Sequence, residues 1–556
     1  MIIFAKQKIS LTNYICFDKI YVYEIILSNR RHTLMKKVYT FDTTLRDGMQ
    51  AEKVSFTVED KLKTVKYLDS LGIDFIEAGN PGSNIKDVEF FERVKEIPLL
   101  HSKLVAFGST CKVGSKATED TNLRLLLLAD TEYTAIFGKA WSLHVTEVLQ
   151  TTLEENLRII KSSVEFLKQN GRRVIFDAEH FFDGYKANLE YATEVLRTAE
   201  AAGCDCVVLC DTNGGTFPLE IHDIVNKVCG TVGIPVGIHC HNDSGMAVSC
   251  SVTAVQAGAA HVQGTINGIG ERCGNANLAT IIANLQLKAG YTLIPPENLC
   301  RLTEVARSVA DITNISISGL PYVSSGAFSH KAGMHIDAVL KNPASFEHID
   351  PALVGNSRNI LVSEMSGKSA VLPALRKVVP NADKSSPQTA AVLKRLKDLE
   401  FMGYQYEVAN ASLDLVIRKT LGMYKPFFEL TQFKVLVEQG NRSNLGYASA
   451  IIKVTVDGRE EITAADSSGP IHAIDTALRK ALYVFYPELM DTQLIDYKVR
   501  VLNSEAATGA TVRVLIETSD SDDSWITVGV STDVIEASRQ ALIDSIEYKL
   551  IKDRKE

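Results

Sequence analysis

The 556-residue sequence contains no apolar run approaching the ~20 residues that a membrane-spanning helix requires. Its ten cysteines include no CxxC pair and no evenly spaced framework, which favours buried thiols in a reducing compartment. Lys and Arg number 59 against 67 Asp and Glu, and no basic block is present that would follow a phosphate backbone. We therefore expect a cytoplasmic protein that binds neither membranes nor nucleic acid.

A dinucleotide-binding fingerprint is also missing. The segment after the first predicted strand reads Leu45-Arg46-Asp47-Gly48 instead of GxGxxG, and the later run Gly268–Gly274 has the spacing GxGxxxG. These two observations disfavour an open doubly wound sheet, which is the main alternative fold. In a loop, the glycines of the second run would let the backbone pass close to a ligand.

Short β-branched runs alternate with helical patterns from residue 38 to about residue 290, which is typical of a parallel sheet wrapped by helices. Strands are predicted near 38–42, 73–77, 103–107, 133–138, 173–178, 206–210, 235–239 and 261–265. Eight strands in about 250 residues fit a closed (β/α)8 barrel of the TIM type.

The length predicts two to four domains, and the pattern changes at three points. Residues 1–34 are interpreted as an over-extended start or a loosely ordered arm, with a targeting peptide as the other interpretation. Residues 35–291 form the predicted barrel, residues 292–427 a helical linker region, and residues 428–556 an α+β domain in which a βββα unit occurs twice. A doubled unit without catalytic residue types indicates a ligand-binding or dimerising module.

Polar residues stand at the carboxyl end of most predicted barrel strands. Because these ends share one face of a barrel, we expect the side chains to point into one cavity. The residues are Arg46 and Asp47, Glu77, Ser109, Lys139, Glu179, Asp211 with Thr212 and Asn213, His239 with His241, and Asn267.

His239 and His241 are two residues apart on a predicted strand, so both imidazoles lie on one face. Alone, this pair would equally well be two hydrogen-bonded histidines inside a barrel. Asp47, arriving from the first strand, favours a metal site, because two imidazoles and a carboxylate leave open positions on a cation for Lewis-acid catalysis. Asn275 is a further candidate oxygen ligand.

The roles of four other residues are ambiguous from the sequence. Arg46 is either a bidentate donor to an anion or half of a structural ion pair. Glu179 is either a surface carboxylate or a base inside the mouth, and Thr212 either donates to a carboxylate or caps a helix. His335 lies outside the predicted barrel, where a lone histidine would ordinarily carry no function.

Four ordered motifs resemble those of the isopropylmalate, homocitrate and citramalate synthases, which are metal-dependent barrel enzymes that carry out Claisen condensations. The motifs are Asp42–Gly48 with Gln50, His239-x-His241-Asn242-Asp243, Gly268-x-Gly270-Glu271-Arg272-x-Gly274-Asn275, and His330-Lys331-Ala332-Gly333-x-His335. The resemblance covers residues 36 to about 550, with the tail similar to the regulatory domain of the family. The stretches Ile76–Asn84 and Asn356–Glu364 are most similar to the citramalate branch, which joins acetyl-CoA to pyruvate.

The resemblance implies a divalent cation (Mg, Mn or Zn) bound by Asp47, His239 and His241, with Asn275 as the fourth ligand. The cation would chelate the 2-oxo acid through its carbonyl and one carboxylate oxygen. We therefore expect acetyl-CoA and a 2-oxo acid as substrates, with pyruvate favoured over 2-oxoisovalerate.

The resemblance also implies roles for the four ambiguous residues. Thr212 would hold the substrate carboxylate, and Arg46 would stabilise charge on the reacting oxygens. Glu179 and His335 correspond to acid/base positions of the family, and one of them would help to remove the α-proton of acetyl-CoA. In this family the linker crosses to the partner subunit, which implies a homodimer.

In the tail, the segment Ser468–Ala473 resembles the effector loop of the family. A branched-chain amino acid is accordingly the expected effector, with Gly469, Pro470 and Ile471 as its binding residues. Two rival functions remain at this point: a retro-aldol lyase on the same barrel, which would need neither linker nor tail, and a non-catalytic effector-binding protein that kept the barrel as a scaffold.

Overall fold

A computed structural model describes residues 36–361, 367–438, 447–521 and 523–554, so the interpretation of residues 1–34 lies outside the described residues. Eight parallel strands close into a barrel in which neighbours follow chain order. This arrangement confirms the predicted (β/α)8 fold. Strands β1–β8 are Tyr39–Asp42, Phe75–Gly79, Lys103–Ser109, Tyr133–Lys139, Arg173–Glu179, Cys206–Asp211, Val236–Cys240 and His261–Gly264.

Helices cover the outside of the barrel, and their starts and ends follow from local sequence. The first begins at Thr57, whose side chain forms a reciprocal capping box with Asp60, and ends at Gly72 in the left-handed region with φ 90°. Helices α1–α10 are Val58–Leu71, Ile85–Arg93, Thr121–Leu128, Leu153–Gln169, Phe181–Ala187, Leu189–Ala201, Pro218–Cys229, Ala247–Gln256, Leu278–Leu287 and Leu302–Thr313. The last of them begins beyond residue 291, and its buried face joins the same hydrophobic core.

Alternation along the strands separates two sets of buried residues. One set faces the helices, and the other fills the barrel interior with apolar side chains that include Phe41, Val105, Ile175 and Val208. Towards the carboxyl ends of several strands the same inward-facing series becomes polar, as at Glu77 two residues after Phe75 and at Asp177 two residues after Ile175. The barrel is therefore filled below its mouth, and the polar groups are collected at its carboxyl end.

The second compact unit comprises Ser329–His348 and Arg358–Glu556. Its helices α11–α16 are Gly333–Lys341, Lys368–Val378, Pro387–Phe401, Asn410–Thr420, Pro470–Leu482 and Val534–Asp553. Its strands β9–β14 are Glu429–Glu438, Tyr447–Val456, Arg459–Ser467, Gln493–Val501, Val512–Ser519 and Ser524–Ser531. They form two antiparallel three-stranded sheets, each followed by a helix, so the doubled βββα unit is confirmed.

Two hydrophobic cores hold the second unit together. One is shared by both βββα halves. The other joins helices α12–α14 to strand β14, where Val528 and Val530 pack with Leu396 and Leu399. The helical segment is thus continuous with the second half of the tail, and the predicted boundary near residue 427 remains a prediction.

In the part of the chain that the structure describes, no helix combines the length with the apolar character that crossing a bilayer would require.

Candidate metal centre and active site

Asp47, His239 and His241 converge at the barrel mouth, where all three are buried and their ligand atoms lie within 4.8 Å of one another. The Nε2 atom of His239 is 3.3 Å from Nε2 of His241 and 3.7 Å from Oδ2 of Asp47. The alternation of β7 places the two imidazoles on the inward face, and Asp47 comes from the loop after β1. The structure therefore brings together the three residues that the sequence suggested.

The electrostatics of this cluster suit a cation. Burial, followed by the neighbouring His241, lowers the pKa of His239 to about 3. Burial also lowers the pKa of His241. For Asp47, burial alone would raise the pKa, but Arg46 and the two imidazoles outweigh it and lower the pKa to about 2. At neutral pH the cluster is therefore two neutral imidazoles and a carboxylate, which is the protonation that metal ligands need.

Gln263 fixes the orientation of His239. Its Oε1 accepts a hydrogen bond of 2.9 Å from Nδ1 of His239, and its Nε2 donates one of 3.3 Å to Oδ1 of Asp177. With the proton of His239 on Nδ1, the lone pair of Nε2 is directed into the cluster. Gln263 is fully buried on the inward face of β8. Burial and the nearby Glu77 raise the pKa of Asp177 to about 8.

Asn275 closes the cluster from the glycine-containing loop. Its Nδ2 donates to Oδ1 of Asp47 at 3.0 Å, while its Oδ1 is buried and has no hydrogen-bond partner in the described part of the chain. An unpaired buried oxygen beside the cluster is the kind of atom that a cation would satisfy. Two glycines are required by the conformation of this loop. A Cβ at Gly270 would collide with the Asn275 amide, and Gly274 has φ 88°, a backbone conformation that favours glycine.

Arg46 is held by two carboxylates and an aromatic ring. Its Nε donates to Oε2 of Glu77 at 2.6 Å, and its Nη1 donates to Oδ2 of Asp47 at 2.9 Å. The guanidinium lies 3.8 Å from the ring centre of Phe107. Thr43 also donates to Glu77, at 2.5 Å. The ion-pair interpretation of Arg46 therefore holds, yet its Nη2 makes no hydrogen bond with any described residue and is free to donate to a ligand.

Glu179 and Thr212 lie at the ends of neighbouring strands. The carboxylate of Glu179 forms an ion pair with Lys139, and its side chain is 24% exposed. The hydroxyl oxygen of Thr212 accepts a hydrogen bond of 2.9 Å from the backbone N–H of His180, which leaves its proton free to donate. The helix that follows begins at the cap residue Phe217, so Thr212 does not cap it.

The expectation that Asn267 points into the cavity is wrong. Its Nδ2 donates to the carbonyl oxygen of Ala306 on helix α10 at 2.7 Å, so the side chain anchors an outer helix. The residue adopts a left-handed conformation with φ 65°, which asparagine tolerates better than most residues.

The remaining predicted site residues belong to the second unit. His335 lies on helix α11, is exposed, and stacks on Phe346 with 4.1 Å between the ring centres. Gly469 is the cap residue of helix α15, with Pro470 at its first position and Ile471 half-buried after it. Nearby, the Ser467 hydroxyl and Nδ1 of His472 lie 2.6 Å apart.

Two buried residues of the site, Asp177 and Gln263, had no role in the sequence analysis, and a third, Glu77, appeared there only as one of the strand-end residues. Each lies on the inward face of its strand, at an even spacing from an apolar inward residue such as Phe75 or Ile175. A polar residue at such an inward-facing position could have identified these residues from the sequence, because a polar side chain inside a barrel must have a hydrogen-bond partner.

The donor set fits a divalent cation. A hydrogen-bonded pair of histidines alone would need no charged carboxylate buried 3.7 Å from Nε2 of His239. Two imidazoles and one carboxylate, with a buried and unpaired Oδ1 on Asn275 beside them, match sites that keep coordination positions open.

Three family models match the chain. They are described as "HMGL-like" over residues 37–309, "Homocitrate synthase post-HMGL domain-like" over residues 322–402, and "LeuA allosteric (dimerisation) domain" over residues 407–550. The first covers the barrel and helix α10, and the third covers both βββα halves.

Curated relatives match along nearly the whole chain. The chain is 51% identical to an (R)-citramalate synthase from Aquifex aeolicus, over 94% of this chain and 99% of the relative. It is 47% identical to an (R)-citramalate synthase from Geobacter sulfurreducens, over 93% of this chain and 98% of the relative. A 2-isopropylmalate synthase from Methanocaldococcus jannaschii is 31% identical, over 93% and 96% respectively.

Proposed function

Because the chain belongs to the (R)-citramalate synthase family, we propose that it joins the acetyl group of acetyl-CoA to pyruvate and releases citramalate and CoA. The observation that carries the proposal is the buried convergence of Asp47, His239 and His241 beside Arg46. Pyruvate is favoured over 2-oxoisovalerate because relatives 47–51% identical to the chain are named (R)-citramalate synthase, whereas a 2-isopropylmalate synthase is 31% identical. The product would serve the biosynthesis of isoleucine.

The metal site of the proposal consists of Asp47, His239 and His241, with Oδ1 of Asn275 as the fourth ligand. A bound Mg, Mn or Zn ion would polarise the carbonyl of the 2-oxo acid and so make it the electrophile. Nη2 of Arg46 is the donor for oxygens that gain charge during condensation, since the other nitrogens of its fork are engaged by Glu77 and Asp47.

Substrate binding is assigned to Thr212, and proton transfer to Glu179 or to His335 of helix α11. The free proton of the Thr212 hydroxyl donates to the substrate carboxylate. Glu179 and His335 are the two candidates for removing a proton from the acetyl methyl group, and Lys139 keeps the carboxylate of Glu179 in place. The enolate then attacks the ketone of pyruvate, and hydrolysis of the thioester releases CoA.

The tail is the regulatory part of the proposal. Its two βββα halves would bind a branched-chain amino acid at Gly469, Pro470 and Ile471, and the chain would act as a homodimer. Gly469→Val is a suitable test variant. No atom of the described residues beyond its two chain neighbours lies within 4 Å of a Cβ at this position and the backbone φ is one that any residue adopts, so the substitution should fill the proposed binding site without disturbing the fold. Inhibition of turnover by L-isoleucine should be lost in this variant, whereas Gly509→Val, which also meets open space, should keep it.

The proposed reaction is tested by measuring thiol release from acetyl-CoA with a panel of 2-oxo acids. Pyruvate should give the highest kcat/KM, with citramalate as the product by mass spectrometry. Exhaustive chelation should abolish turnover, and added divalent ions should restore it. A preference for 2-oxoisovalerate would instead show that the enzyme is a 2-isopropylmalate synthase. Thiol release in the absence of any 2-oxo acid would contradict a condensation reaction.

A further inference from the structure

A cavity of about 510 Å³ lies within the second unit, and no part of the proposed function uses it. Its walls come from helices α13 and α14, the segment between them, strand β14 and helix α16. The volume falls in the range of small-molecule sites in proteins. Neither Gly469 nor Pro470 of the α15 segment lines it.

One wall of the cavity is apolar. Leu399, Val416, Val528 and Ile543 line it, and they come from three helices and a strand. Leu399 and Val528 are buried members of the core that joins the linker helices to β14. A short aliphatic chain would therefore meet a preformed hydrophobic surface.

Tyr406 presents a polar group without a partner. Its side chain lines the cavity, the residue is only 2% exposed, and its hydroxyl makes no hydrogen bond to any residue that the structure describes. The ring stacks on that of Tyr404, at 6.1 Å between centres and an angle of 8°. The hydroxyl oxygen is not among the fully buried polar atoms that lack a partner in the described residues, so it faces the open cavity, where a ligand atom can accept its proton in place of water.

Arg395 is the second unpaired donor of the cavity. It lines the wall beside the two tyrosines, and within the described ranges it forms neither an ion pair nor a hydrogen bond. Burial raises the pKa of Tyr406, and the positive charge of Arg395, an exposed side chain of helix α13, opposes this rise. A guanidinium and a phenolic hydroxyl that line the same cavity are suited to binding a carboxylate.

The acceptors of the cavity are already occupied. Asp544 accepts from the Ser412 hydroxyl and from Nζ of Lys419, each at 3.0 Å. Oε1 of Gln540 accepts from the Tyr404 hydroxyl at 3.0 Å. Among the described residues that line the cavity, the one carboxylate is therefore already paired with the cation of Lys419, whereas an anion would find the donors of Arg395 and Tyr406 without a described partner.

We propose that this cavity binds a small aliphatic carboxylate that carries no amino group. Its carboxylate interacts with Arg395 and Tyr406, and its hydrocarbon chain packs on Leu399 and Val528. Binding would tie helix α13 to the second βββα half, because the ligand contacts both.

The test is isothermal titration of the full-length protein with sodium isovalerate. Tyr406→Phe and Arg395→Gln should each weaken binding by roughly tenfold or more, as expected for loss of a hydrogen bond to a charged group. Lys397→Gln removes an exposed cation from another face of the same helix and should leave the affinity unchanged. The ligand-free melting temperature of Tyr406→Phe should match that of the wild type, since the hydroxyl has no partner to lose.

The probes and variants distinguish binding in this cavity from binding at the barrel mouth and from binding at the proposed amino-acid site of helix α15. Isovalerate should bind more tightly than the uncharged 3-methylbutan-1-ol and more tightly than L-leucine. Equal affinity of wild type, Tyr406→Phe and Arg395→Gln would overturn the proposal. Binding that is lost in Arg46→Gln but kept in Tyr406→Phe would place the probe in the barrel mouth, and a tighter L-leucine would refute the exclusion of an amino group.

Discussion

Replacing Gln263 by methionine should weaken binding of the divalent cation by about 10- to 100-fold, which is roughly 1.4–2.7 kcal/mol. Gln263 is fully buried and touches no cation itself, but its Oε1 accepts the Nδ1 proton of His239 at 2.9 Å. Methionine has nearly the same length and removes this acceptor without opening a large cavity. Without it, the tautomer of His239 is no longer fixed, and Nδ1–H loses its partner.

The assay is a titration of metal-free protein with Mn²⁺ or Zn²⁺, with circular dichroism to verify the fold. Gln263→Glu retains an acceptor for His239 and should bind the ion more tightly than the methionine variant. Gln286→Met is the matched control, because Gln286 is a buried glutamine that bonds only the backbone of Leu293 and Ile294. Unchanged metal affinity in Gln263→Met, or an equal loss in Gln286→Met, would refute the positioning role.

Three further outcomes are expected. His241→Ala should lose the bound metal while keeping its circular dichroism spectrum; a variant that unfolds with its metal content intact would make the residue structural. Asp87→Ala should destabilise the protein by about 3–5 kcal/mol in urea unfolding, because it leaves the buried ammonium of Lys61 without a carboxylate and with the Ala78 carbonyl as its acceptor. Asp177→Asn should gain stability over the wild type as pH rises from about 4 to 8, since the folded-state pKa of Asp177, about 8, exceeds its ordinary 3.8 and folding therefore binds a proton. A melting-temperature difference that is constant across this range would contradict that linkage.

The fold was predictable because both of its parts repeat. Each barrel strand is a short apolar run followed by a helical pattern, and each half of the tail contains three strands and a helix. The spacing of apolar residues within each short segment is enough to predict whether that segment is a strand or a helix. The continuity of helices α12–α14 with strand β14 was not predictable, because the contacts of Leu396 with Val528 join segments far apart in sequence and leave no periodic signal.

The candidate site was predictable where neighbouring residues share a strand end. His239 and His241 follow from the alternation of one strand, and Asp47 from its position after another. The pairing of Gln263 with Asp177 was not predictable, because alternation assigns a side chain to the barrel interior without fixing the stagger between strands. The same holds for Asn275 and Asp47, which meet across 228 residues of chain.

The shared core of α12–α14 and β14 limits how the tail can be transplanted. Consider a chimaera that takes only the residues after about 425 from this chain. Val528 and Val530 would then lose the helices that bury them, and in the remaining part of this chain Leu396 and Leu399 would become exposed to solvent. An exchange that begins before helix α12, at Lys368, moves the complete hydrophobic cluster. In an engineered enzyme with a transplanted tail, a joint ahead of that helix therefore keeps this cluster intact.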